Sequence, residues 1–194
     1  MRGIQGQSGF RLAARALGLA LAAAGVCVAQ TEPEEGGTVN REYAIKAGYL
    51  YNFGGYVQWP AAVFPRGDSP LVIGVLGTDP FGGLLDEIAR TKKVGGRRIV
   101  AKRFASMAAY TPCHILFVAS TVSREEEAAA IGKLRGSPVL LVGEDPAFAR
   151  RGGTVAFFVE ENRVRFEINL EACKKRQLKV SSKLLSLAKV VGQQ

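Results

Sequence analysis

Apolar residues along the chain fall into short unbroken runs separated by stretches with helical spacing. Residues 71–76 (LVIGVL) are apolar throughout and bounded by turn residues, the pattern of a strand buried on both faces. Residues 114–119 and 139–142 read the same way, and Gly95-Gly96 turns the chain into residues 98–104. Ahead of them, Tyr43, Ala47, Leu50, Tyr51 and Gly54 share one helical face, with Asn40 placed to cap the helix and Pro60 to stop the chain continuing it. Asp79-Pro80 predicts a cap and first turn for a helix over residues 81–90, with Phe81, Leu84, Leu85 and Ile88 on one face. Ser123 caps a third helix running to Leu134, with Glu125, Glu126 and Glu127 in its favoured first turn. Residues 155–159 and 163–168 predict a hairpin. Asn169 caps a helix to Gln177, and Ser181 or Ser182 caps a last one to Val191. Strands alternating with amphipathic helices predict an α/β fold: a single-domain layered sandwich with a mixed, mostly parallel sheet flanked by helices.

Composition narrows the class without changing that picture. The chain has 194 residues, 47% of them apolar and 22% charged, which excludes disordered and collagenous architectures. Residues 1–29 read as a cleavable signal peptide: Arg2, Arg11 and Arg15 precede an apolar stretch that ends in Cys27-Val28-Ala29. Residues 30–39 then form a polar, glycine-containing linker to a domain over 40–192, and the mature protein is exported to the periplasm. The full chain carries a formal charge of +9, reduced to +6 without the three arginines of residues 1–29, and that charge is unevenly placed. Residues 30–161 hold 15 basic and 15 acidic side chains, whereas eight basic residues from Arg163 onward face only Glu167 and Glu171. Export, and the lack of aromatics interleaved with this basic patch, argue against nucleic acid as a partner.

Candidate chemistry is sparse. His114 is the single histidine, and its neighbour Cys113 points to the opposite face of a strand, so no metal site and no cofactor is expected. Two cysteines remain after export; Cys113 and Cys173 are either a disulfide or two small buried core residues, as their separation decides. The glycine-rich turn at residues 74–83 occupies the strand-to-helix position where α/β proteins hold ligands, but Pro80 removes a donor and Asp79 repels phosphate. Asp79, Arg165, Glu167, Asn169 and Ser182 are the polar candidates for a small ligand, and each also reads as a cap or cross-strand partner. Tyr49, Tyr51, Phe53, Tyr56 and Trp59 crowd eleven residues, too many for one helical stripe, so Tyr49, Tyr56 and Trp59 become candidate partner contacts. Lys175, Lys179 and Lys183 join them as a basic face for an acidic partner.

Several blocks resemble the YfiR-like periplasmic proteins: YAIKAGYLYNF at 43–53 with VQWP at 57–60, LVIGVLGTDPFG at 71–82, CHILFV at 113–118, RGG at 151–153, VRFEINL at 164–170 and SSKLL at 181–185. They fall in family order over nearly the whole mature chain. The resemblance implies a non-enzymatic, homodimeric repressor that binds the periplasmic sensor domain of an inner-membrane diguanylate cyclase. An outer-membrane lipoprotein draws it away, raising cyclic-di-GMP and favouring biofilm. The alternatives are a periplasmic small-ligand-binding protein without a cyclase partner, and an enzyme with an unfamiliar site.

Overall fold

A computed structural model describes residues 35–192. The signal peptide expected at 1–29 lies outside the described residues. Helix α1 (Glu35–Tyr56) runs straight into a short strand, β1 (Val57–Gln58), and Pro60 follows where the chain leaves it. After β2 (Leu71–Leu76) come α2 (Leu84–Thr91), β3 (Lys93–Val94) and β4 (Arg97–Phe104). Then β5 (Ile115–Val118), α3 (Arg124–Lys133) and β6 (Leu140–Gly143) lead to the hairpin of β7 (Val155–Glu160) and β8 (Arg163–Asn169). The chain closes with α4 (Leu170–Lys175), β9 (Lys179–Val180), α5 (Ser182–Leu185) and β10 (Lys189–Val191).

Eight strands form one sheet in the order β10-β8-β7-β6-β5-β2-β4-β3, and β1 pairs with β9 in a separate antiparallel ladder. Five adjacent strands, β4-β2-β5-β6-β7, are mutually parallel. In chain order this is the 2-1-3-4-5 arrangement of doubly wound sheets, with its switch point between β2 and β5. β8 then reverses direction against β7, which makes the sheet mixed. Glu161 and Asn162, both at positive φ (49° and 58°), form the two-residue turn, the geometry that matches the twist of a hairpin. The α/β sandwich expected from the alternation is therefore present, with its mixed sheet.

Two cores lie on opposite faces of the sheet, as the period of two requires. On one face Ile73, Val75, Ile115, Phe117, Val155 and Phe157 meet Leu50 and Phe53 of α1, Leu85 of α2 and Leu184 of α5. On the other, Val72, Leu76, Leu116, Val118 and Leu141 meet Ala130 and Leu134 of α3 and Phe148. Phe148 packs against Gly143, at the end of β6, and Gly153, just ahead of β7. A Cβ on Gly143 would fall 2.5 Å from its ring, and one on Gly153 only 2.2 Å. That close approach is the reason glycine stands at both places.

Several boundaries differ from the sequence reading. α1 begins at Glu35, so residues 35–39, expected as linker, are helical, and Asn40 lies inside the helix. Extending a formed helix by a turn costs far less than starting one, so a local cap signal does not set the boundary. Asp79 does not cap α2. Its carboxylate accepts the Phe81 N–H at 2.7 Å in a local turn, and the helix begins at Leu84 after Gly82-Gly83. The last helix is a single turn capped by Ser181, and residues 189–191 become β10 because the β8 edge offers them a parallel ladder.

The glycines give opposite expectations for two alanine variants. Gly153→Ala should lower stability by about 2 kcal/mol or more, since Phe148 has no room to yield. Gly48→Ala, in the middle of α1 with nothing within 4 Å of its Cβ position, should raise it by about 1 kcal/mol. Denaturant midpoints for the two variants check both signs.

Candidate functional site

Open α/β sheets hold ligands at the carboxyl ends of the strands beside the switch point. Here the β2 side of that crevice is closely packed, and a cavity of about 200 Å³ remains between the ends of β5 and β6, bordered by Ser120, Arg124, Glu144 and Asp145. A Cβ on Gly77, at φ 91°, would lie 2.6 Å from Val122 and 3.0 Å from Thr121 Oγ1, and the Thr78 N–H donates to that same hydroxyl at 3.1 Å. On the β4 side, Arg103 binds Asp79 at 2.8 Å and grips Asp86 with two bonds of 2.7 Å. The bidentate contact with Arg103 holds the Asp86 carboxyl below its ordinary range.

On the β6 side, Glu144 accepts Lys46 Nζ at 2.5 Å and the Ser120 N–H at 3.1 Å. Lys46 is only 4% exposed, and Glu42 one turn earlier on α1 also pairs with it at 2.5 Å. Its ammonium lies 4.6 Å from the centre of the Tyr43 ring. Burial first, then the Glu144 charge, pushes the Tyr43 hydroxyl up to about 12, so it stays neutral at physiological pH. Asp145 accepts the Ala147 N–H at 2.8 Å and pairs with Arg124 and Arg151, which together hold its carboxyl down at about 2. Arg151 also reaches Glu127 at 2.6 Å. The polar groups at this end of the sheet are thus spent on one another.

The five polar residues singled out for a ligand do not converge. Asp79 follows β2, four strands from β8 in the sheet order. Arg165 is exposed and pairs with Glu160 across the hairpin at 3.0 Å. Glu167 is buried, with Oε1 unpartnered among the described residues. Asn169 caps α4 by accepting the Ala172 N–H at 2.9 Å, while its amide donates to the Ala149 carbonyl at 2.8 Å. Ser182 is exposed at the start of α5, where Ser181 makes the cap.

The six partner candidates are also dispersed. Tyr49 packs inward against Phe53, Phe157 and Phe166, with ring centres 5.1–6.1 Å away. Trp59 is partly buried, edge-on to His114 at 6.1 Å. Among the aromatics of this cluster only Tyr56 is exposed, at 37%. The sequence reading expected some of the five to reach the surface, as Tyr56 does; the hairpin supplies a second aromatic layer that covers Tyr49 and Phe53. Lys179 shares a cleft of about 450 Å³ with Trp59 and Lys174, Lys175 borders a different cavity, and Lys183 lies exposed on α5.

His114 and the cysteines have structural roles. His114 Nδ1 accepts the Val72 N–H at 3.0 Å, and its ring stacks on Phe64 at 4.4 Å. Burial lowers its pKa, so the imidazole is neutral. Cys113 and Cys173 belong to the cores on opposite faces of the sheet, and both thiols are free. Burial pushes each thiol up to about 12.

The feature the sequence reading missed is a groove of about 600 Å³ between α1 and the hairpin, bordered by Glu42, Ile45 and Tyr49 on one side and Val159, Asn162 and Val164 on the other. Ile45 is 41% exposed and Val159 54%. A signal existed: Ile45 falls off the buried face of α1 by helical spacing, yet joins Glu42 and Tyr49 on a second face at i, i+3 and i+7. Among the described residues no three metal-ligating side chains cluster, and no helix is long and apolar enough to cross a membrane. A family described as YfiR/HmsC-like matches residues 43–189. No curated protein matches the chain.

Two outcomes follow from this geometry. Lys46→Met leaves Glu144 buried without its counter-charge and should cost about 3 kcal/mol; adding Glu144→Gln should recover most of that, as equilibrium unfolding of the double variant will test. The folded protein should resist alkylation at pH 8 and take up two equivalents of iodoacetamide, at Cys113 and Cys173, only in denaturant. A chain with residue 30 as its first residue is the species to use, and recovery of an oxidised pair by mass spectrometry would contradict the assignment.

Proposed function

The chain belongs to the YfiR/HmsC-like family, and from that premise we propose that it is a non-enzymatic periplasmic regulator of an inner-membrane signalling protein. In the finer form of this reading it binds and restrains the periplasmic sensor domain of a diguanylate cyclase, and so lowers cyclic-di-GMP and biofilm formation. A homodimeric state, and an outer-membrane lipoprotein that competes for the regulator, belong to the same proposal.

The observation that carries it is the groove beside α1. Ile45 and Val159 leave large apolar side chains in water on its two walls, next to Arg41, Glu42 and Arg163. An apolar centre with a charged rim is the anatomy of a protein–protein contact. The rigid elements on either side, a long helix and a tight hairpin, keep the two walls in register without a partner. The ion-paired carboxyl end of the sheet supports the same reading, since its acids and bases are already committed to holding the fold.

Photocrosslinking from position 45 or 159 in intact cells, with mass spectrometry of the adducts, tests the contact. The expected product is an inner-membrane sensor protein. Ile45→Asp and Val159→Asp should each reduce its capture about tenfold or more. Both should also raise cyclic-di-GMP as far as deletion of the protein does. A deletion that leaves cyclic-di-GMP and biofilm unchanged removes the cyclase from the proposal.

A further inference from the structure

A second cavity, of about 420 Å³, lies between the C-terminal end of α3, the turn before β7, and α4. Five cationic residues border it: Arg135, Arg150, Arg151, Lys175 and Arg176. The one acid on its rim, Glu171, is paired with Lys174 at 2.9 Å. Arg151 is matched by Glu127 and Asp145. Arg135, Arg150 and Lys175 make no ion pair among the described residues.

Arg176 is the unusual member. It is 3% exposed, and its guanidinium donates to three backbone carbonyls, those of Leu134, Ile131 and Gly152. Two of those carbonyls end α3, so Arg176 closes that helix and gains from its negative end. The fold thereby explains where Arg176 sits. It does not neutralise it, because carbonyl dipoles satisfy donors but carry no net charge. Burial lowers the Arg176 pKa, and the like charge of Arg135 acts in the same direction. Cations gathered around one concavity repel each other and focus a positive field into it. The missing counter-charge has a natural place in the cavity itself.

We propose that this cavity binds a compact phosphate-type anion, held by the Arg135 and Arg150 guanidiniums and the Lys175 ammonium over the buried charge of Arg176. Guanidinium forks match the oxygen spacing of a phosphate, and the volume suits a phosphate with a small attached group. The walls are fixed by local contacts. Asn169 ties the start of α4 to Ala149, and Gly152, at φ 110°, would bring a Cβ within 3.1 Å of Ile131. The chemistry is shared by free phosphates and phospholipid headgroups. It is independent of the regulatory reading, because the purified protein alone tests it.

The experiment is calorimetric titration of the purified protein with pyrophosphate, and co-sedimentation with phosphatidylglycerol or phosphatidylcholine vesicles, at about 50 and 300 mM salt. Saturable pyrophosphate binding tighter than about 1 mM is expected, weakening with salt. Arg135→Gln/Lys175→Gln should lower the affinity at least tenfold, with an unchanged melting temperature, whereas Lys183→Gln, outside the cavity, should leave it unchanged. Sedimentation with phosphatidylglycerol alone, displaced by pyrophosphate, assigns the anion to a headgroup; pyrophosphate binding without sedimentation assigns a free phosphate. No saturable binding in either arm, equal binding by the double variant, or binding to polyglutamate but not to pyrophosphate overturns the proposal.

Discussion

Lys46 stands on the sheet-facing side of α1, where a helical pattern calls for an apolar residue, and it is removed from water together with Glu144. Two charges so placed lose hydration that their attraction only partly returns, so the pair adds little net stability. What it adds is position. A misregistered α1 would separate Lys46 from Glu144, leaving that carboxylate without its counter-charge and the ammonium with only Glu42 of its own helix, and so the pair favours one docking of the helix. Phe53 then stacks 5.9 Å from Phe157, and Leu71 fits against Gly54, where a Cβ would come within 2.6 Å. The second face of α1, with Glu42, Ile45 and Tyr49, is turned toward the hairpin by the same docking. The groove beside α1 and the ion-paired end of the sheet thus depend on one contact.

That dependence explains what could be read from the chain and what could not. The parallel strands were legible because residues 71–76 and 139–142 are apolar on both faces, which few surroundings other than a buried sheet permit. The hairpin was legible from its alternation and its polar turn. The last ten residues were not. Ser181 announces a helix start, but α5 stops after one turn and β10 forms at an edge supplied by β8, a partner remote in sequence. The β1–β9 ladder, with Val57 opposite Val180, is hidden for the same reason. Non-local pairing overrides a local cap whenever it supplies more hydrogen bonds.

Of the candidate site, the residue types were readable and their grouping was not. The aromatic cluster was visible as a count of rings. Its burial required Phe157 and Phe166 to arrive from a hairpin about a hundred residues later. Asp79, Glu167 and Asn169 look alike as isolated polar residues. In the fold one is an ion-pair acceptor, one a buried carboxylate and one a helix cap. A cap or a pair is decided by the neighbour, and the neighbour is set by topology.

Charge behaves likewise. The basic excess after Asn162 reads as a single patch in sequence, but the fold distributes it to unlike tasks. Lys174 pairs within its own helix, Lys179 meets Trp59 at a separate cleft, Arg165 pairs across the hairpin, and Arg176 is drawn inside to close α3. Meanwhile Arg135 and Arg150, from a stretch whose net charge is zero, join Lys175 and Arg176 around one cavity. Local field follows spatial neighbours, so a neutral segment and a basic one together build a concentrated positive concavity. A charge count along the chain therefore predicts solubility and long-range attraction, whereas the chemistry of a site is written by the topology that assembles it.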